Sequence, residues 1–123
     1  MKKTVTKWEQ KMKIIDIIEA LDLKLLAGRE DLPAQVTGGY VSDLLSDVMG
    51  NAREGQVWIT LQTHQNIIAV ASLKDLAAII IVKGLAPESE TIEKSNSENI
   101  PVLSTNLDTF NIAGRLFELL RKE

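Results

Sequence analysis

Three short apolar runs mark the second half of the chain, at residues 56–60, 77–82 and 100–104. Each is rich in β-branched residues, and each is followed by turn residues and a segment of helical character. This pattern predicts three strands alternating with helices. Such alternation needs crossover connections, and therefore a parallel sheet. Ligands of such sheets collect at the carboxyl ends of the strands.

The first half is less regular. Ile14, Ile17, Ile18 and Leu21 recur at helical spacing, with Asp16 and Glu19 on the other side. Residues 23–27 predict a short strand ending at Gly28, and residues 28–33 a loop. Residues 34–37 predict a second extended piece, stopped by Gly38-Gly39. A helix is expected next, capped by Ser42 or Asp43, with Leu44, Leu45, Val48 and Met49 as its apolar positions. Residues 50–55, glycine at both ends, lead into the first repeated strand.

Residues 88–99 predict a helix with a wet outer face. Pro87 suits its first turn, and Glu88 and Glu90 complement the helix dipole. The last helix has a capping-box spacing in Thr105-Asn-Leu-Asp108. Phe110, Ala113, Leu116, Phe117 and Leu120 form one apolar stripe, expected to dock on the sheet, with a partner-binding helix as the alternative. The fold class expected is α/β, a small, mostly parallel sheet with flanking helices.

Composition narrows the chemistry. At 123 residues, 45% hydrophobic and 25% charged, the chain is an ordinary globular length, read as one domain over 12–123. A net charge of −3 provides no general attraction to nucleic acid or anionic lipid. Lys2, Lys3, Lys7, Lys11 and Lys13 crowd the start, so residues 1–11 read as a basic, solvated extension. With no cysteine and one histidine, no metal site is expected, and no cofactor. The longest apolar run, from Leu76 to Val82, falls far short of the roughly 20 residues that span a bilayer. No secretory h-region is evident, and a cytoplasmic location is the default.

The glycines at 50 and 55 have phosphate-loop spacing, but Gln56-Val57 replaces the required Lys-Ser/Thr, and a strand follows instead of a helix. Thr37-Gly38-Gly39 offers a tight turn or a close approach for a backbone or phosphate. Thr60, Thr63, His64, Lys83, Gly84, Ser104 and Thr105 all follow the repeated strands. Along one rim they could hold an anion or nucleotide phosphate, or simply cap and turn. His64 is a candidate general base near Thr60, Thr63 or Asp43, though a cap or surface position suits a lone histidine better. The nucleophile elbow and the dinucleotide fingerprint are both absent.

Residues 36–47 with their Thr-Gly-Gly, the run Trp58-Ile-Thr-Leu-Gln-Thr-His64, the apolar strand closing at Lys83-Gly84, and Ile100-Pro-Val-Leu-Ser-Thr105 resemble the DRTGG domain family. The likeness extends over about residues 12–121. It implies a fold similar to the N-terminal domains of HPr kinase/phosphorylase and the Mur ligases. Gln35 and Val36 stand where the family's Asp and Arg would be, so only Thr37-Gly38-Gly39 match the naming motif. The resemblance implies a regulatory or dimerising module and supports no catalytic residue. The leading expectation is a non-catalytic homodimer that senses a small anionic or nucleotide-like ligand or transmits such a signal. An accessory subunit or scaffold of a metabolic or redox (hydrogenase-like) assembly is the alternative, and a small enzyme using His64 comes third.

Overall fold

The three repeated strands and the short strand expected at residues 23–27 all form, and the repeated strands face two different cores. The computed structural model describes residues 12–121; the basic extension at 1–11 lies outside them. Along the chain run α1 (Ile14–Leu21), β1 (Lys24–Ala27), β2 (Gly38–Val41), α2 (Leu45–Asn51), β3 (Gln56–Thr60), α3 (Asn66–Leu73), β4 (Ala78–Ile81), α4 (Ser89–Glu98), β5 (Val102–Ser104) and α5 (Thr109–Arg121). The strands form one sheet in the order β1-β5-β4-β3-β2. β2 to β5 are parallel, and β1 is antiparallel to β5.

Successive strand residues point to opposite faces. Val57, Ile59, Ala78, Ile80 and Leu103 face one core, shared with Ile14 and Ile17 of α1 and Ile112 and Leu116 of α5. Trp58, Ile79, Ile81 and Val102 face the other, with Val48 of α2 and Ile67, Ile68 and Ala71 of α3. Ile92 of α4 packs at its margin. The result is a three-layer sandwich, as its near-continuous apolar strands require. The buried indole of Trp58 donates from Nε1 to the Ser42 carbonyl at 2.8 Å, tying β3 to the end of β2.

α4 docks through unexpected chemistry. Its buried residues are Thr91 and Ser95, not aliphatics. Thr91 donates to the Thr63 carbonyl (2.7 Å) and Ser95 to the Ile100 carbonyl (2.5 Å), so neither hydroxyl is buried without a partner.

Several sequence expectations need correction. Gly38-Gly39 does not stop an extended piece but begins β2, paired with Gln56 and Val57. Neither glycine has a positive φ. At Gly39 the requirement is space, because a Cβ there would meet Cδ2 of the buried Leu116 at 2.9 Å. α2 begins after Leu44 with no side-chain cap; Ser42 Oγ accepts instead from the Leu44 N–H (3.1 Å). The capping box on α5 does not form. Thr105 Oγ1 accepts from the Leu107 N–H (3.1 Å), and Asp108 caps by accepting from the Asn111 N–H (2.9 Å). The α5 stripe is also split. Ile112 and Leu116 are buried, whereas Phe110 and Phe117 are exposed, because about 100° of rotation per residue sets them well round the helix from the sheet-facing side.

Gly39→Val is expected to cost about 1–3 kcal/mol by overpacking against Leu116. Gly38→Val, where the nearest atom to a new Cβ is 3.7 Å away, should cost less than about 1 kcal/mol. Urea denaturation of both variants checks the order.

Candidate functional site

The parallel strands bring their carboxyl ends to one rim. There the chain leaves β4 for α4 on one face and leaves β5 for α5 on the other. Adjacent strands whose following helices diverge in this way define a topological switch point, where α/β sheets place ligands.

The two diverging loops are joined at their base. The Lys83 N–H donates to the Leu107 carbonyl (2.9 Å), and the Gly84 N–H donates to the Thr105 carbonyl (2.8 Å). Both residues are left-handed, with φ of 62° and 66°. Glycine takes this conformation freely, but lysine pays of the order of 1 kcal/mol for it. A Cβ at Gly84 would stand 2.7 Å from Oδ1 of the exposed Asn106, a side chain free to swing aside, so it is the left-handed φ that favours glycine here.

Beside this junction lies a hollow of about 490 Å³, bounded by the loop at residues 84–87, the end of β5 and the start of β1. Gly84, Ser104 and Thr105 line it, together with Asp22, Lys24 and Asn106. Lys24 and Ser104 are register partners across the β1–β5 pair, so a cation and a hydroxyl stand side by side at its edge. Lys24, Asp22 and Asn106 were not singled out from the sequence. Asn106 simply follows Thr105 in the chain, whereas only the antiparallel return of β1 onto β5 brings Asp22 and Lys24 here, and no local pattern announces that pairing.

The other candidates separate into distinct places. Thr60 is buried; its hydroxyl donates to Asp43 (2.8 Å) and accepts from the Gln62 N–H (3.1 Å), which leaves it structurally committed. Asp43 also accepts from the Leu61 N–H (2.7 Å), and its carbonyl accepts from Gln62 Nε2 (2.7 Å). Thr63 presents its carbonyl to Thr91 and to the Glu88 N–H. His64 is exposed, and its Nδ1 accepts from the Asn66 N–H at 3.1 Å. It caps the first turn of α3, and no hydrogen bond joins it to a carboxylate or hydroxyl among the described residues. Lys83 is exposed at the junction.

Thr37, Gly38 and Gly39 lie at the other end of the sheet, where β2 and β3 begin. They share no site with the carboxyl-end group. The Thr37 N–H donates to the Gly55 carbonyl (2.9 Å) and its hydroxyl to the Glu54 carbonyl (2.9 Å). The threonine thus clamps the α2–β3 turn, and Gly39 admits Leu116. Beside them Val36 is buried in the α1/α5 core, and Gln35 bridges to Lys13.

A model of the DRTGG domain matches residues 16–119. The chain belongs to the DRTGG domain family. A solved structure of similar fold contains the CBS and DRTGG domains of the regulatory region of Clostridium perfringens pyrophosphatase, complexed with its activator, diadenosine tetraphosphate. The likeness has a TM-score of 0.66 at 20% identity, over 88% of this chain and 47% of that one. The DRTGG protein described here therefore spans about half the length of that regulatory region. No curated protein matches it. Among the described residues no helix is long and apolar enough to cross a membrane, and no cluster of metal-ligating side chains occurs.

Two measurements check this local account. Asp43→Ala should cost about 1–2 kcal/mol in urea denaturation, because it removes charge-assisted bonds from Thr60 and Leu61. The second concerns Asp108, whose pKa is lowered first by the Asn111 N–H, then by the Asn111 side chain, with a smaller contribution from Lys83. A depressed folded pKa means that its stabilisation is full above the ordinary carboxylate value of about 3.9 and is lost as pH falls through the lower folded value. Asp108→Asn keeps an accepting cap, so it should flatten the acid limb of stability against pH while changing little at neutral pH.

Proposed function

We propose that this DRTGG protein is a non-catalytic regulatory module that senses a small anionic or nucleotide-like ligand, or transmits such a signal through a homodimer. The observation that carries the reading is the hollow beside the topological switch point, lined by Lys24, Ser104, Thr105 and Asn106 next to Gly84, with the Asp22 carboxylate also on its edge. A lysine, hydroxyls and an amide can together bind a phosphate and the polar edge of a base or sugar. Gly84 keeps its rim free of a side chain. The nucleotide activator bound to the regulatory region of similar fold supports the ligand class. The commitment of His64 and Thr60 to local hydrogen bonds favours binding over catalysis.

A second reading is an interaction protein, an accessory subunit or scaffold of a larger metabolic or redox assembly. The exposed phenylalanines of α5 favour it, since paired aromatic side chains at the surface are typical anchors of protein interfaces.

Thermal unfolding with diadenosine tetraphosphate, ATP and inorganic phosphate tests the first reading. A ligand at a hundredfold excess over its Kd adds about 2.7 kcal/mol to apparent stability, a rise in Tm of the order of ten degrees. Lys24→Ala and Ser104→Ala should reduce that rise without lowering the Tm of the free protein appreciably. A flat response to all three probes at millimolar concentration would sink the sensing function.

A further inference from the structure

Strand β2 is paired on one side only. It ends the sheet, and β3 is its single neighbour. No backbone hydrogen bond among the described residues links residues 38–41 to any segment but β3. An open strand edge is a template for another extended segment. Alongside this edge an apolar groove of about 690 Å³ runs between β2 and α5, lined by Gly39, Val41, Ile59, Leu116 and Phe117.

The chain itself arrives at this edge. Lys13 bridges Gln35 in the antiparallel sense, and the Val36 N–H donates to the Met12 carbonyl at 2.8 Å. Gln35 and Val36 stand just ahead of β2. Residues before Met12, continued in the same direction, therefore run beside β2 from Gly38 toward Val41. Eleven residues precede Met12, and β2 has four, so the length is ample. Their order has the period of a strand with one face in water. Between residues 7 and 13 every odd position is charged (Lys7, Glu9, Lys11, Lys13), and every even one is not (Trp8, Gln10, Met12). Met12 packs against the α1/α5 core. By alternation Gln10 and Trp8 then face the same side, which is the side of the groove. Val36 and Gly39 both meet that core although three residues apart, so one extra residue lies between them, as in a β-bulge. With it counted, Gln10 falls opposite Gly39 and Trp8 opposite Val41.

We infer that residues 4–11 are a further strand of this sheet, antiparallel to β2, with Trp8 seated in the groove beside α5. The strand pairs the open edge and lays an indole against Val41 and Phe117. Lys7, Glu9 and Lys11 take its opposite face, and charges on the outermost strand discourage a second molecule from adding there. Lysine content alone points to a solvated arm; the alternation and the entry at Met12 give the segment a place in the fold. Neither ligand sensing nor a homodimer is required for it.

Fluorescence and hydrogen exchange of the full chain test this strand. The emission belonging to Trp8, taken as the difference between wild type and Trp8→Phe, should be blue-shifted and shielded from acrylamide. That shielding should be equal at micromolar and near-millimolar protein. Gln10→Pro, which removes a donor and disfavours a paired strand, should speed amide exchange in β2 at least about tenfold while β4 stays protected. Trp8→Ala should lower the Tm by about 5 °C or more, and Lys7→Ala, on the opposite face, by less than about 2 °C. A Trp8 as open to quencher as free tryptophan, with β2 exchange unmoved by Gln10→Pro, overturns the strand. Shielding that appears only as concentration rises assigns the edge to the same segment of a second copy and overturns the pairing within one chain. A wild-type edge that exchanges freely until another protein is added overturns it equally.

Discussion

Burial of β4 on both of its faces is the constraint on which the rest of the molecule depends. Ala78, Ile79, Ile80 and Ile81 are all inaccessible to solvent, with paired strands on both sides. A strand apolar on both faces must be covered by two layers. α2, α3 and α4 supply one, while α1 and α5 supply the other. Because α4 and α5 take opposite faces, the chain diverges beyond β4 and β5. The switch point is thus a consequence of how the core is closed.

Seating α5 depends on the surviving part of the family motif. In this chain Thr37-Gly38-Gly39 does structural work at the amino end of β2: the threonine fastens the α2–β3 turn, and Gly39 makes room for Leu116. Val36, where the motif would have arginine, completes the core beneath α1 and α5. The motif fixes where α5 lies, and α5 then presents Phe110 and Phe117 outward. Packing at one sheet end therefore determines the surface offered on the sheet's flank.

At the opposite end, backbone geometry and polar chemistry coincide. Lys83 and Gly84 hold two consecutive left-handed conformations, and their N–H groups join loops leading to different faces of the sheet. A ligand in the adjoining hollow would touch β1, the β4–α4 loop and the end of β5 together. The hollow is thus continuous with the base of α5 through Thr105, Asn106 and Leu107.

Much of the fold was legible in residue order, because strand and helix periodicities are local. Residues 56–60 became β3 without change, and α1, α4 and the apolar cores of β4 and β5 followed their patterns. The misreadings arose where a local motif had more than one physical use. Two adjacent glycines signal a turn in isolation, yet here they open a strand under a close-packed helix. Thr105 and Asp108 have capping-box spacing, but backbone bonds to Ile81 and Gly84 hold Thr105 in the rim and leave Asp108 to cap α5. By itself the sequence determined the α/β class, the parallel repeat and the polar character of the strand ends, all properties of neighbouring residues. Only the tertiary structure decided that Thr37–Gly39 and Ser104–Thr105 lie at opposite ends, that Lys24 meets Ser104, and that the phenylalanines of α5 face outward. Those outcomes follow from strand order and helix rotation, which are set by packing between segments distant in the chain.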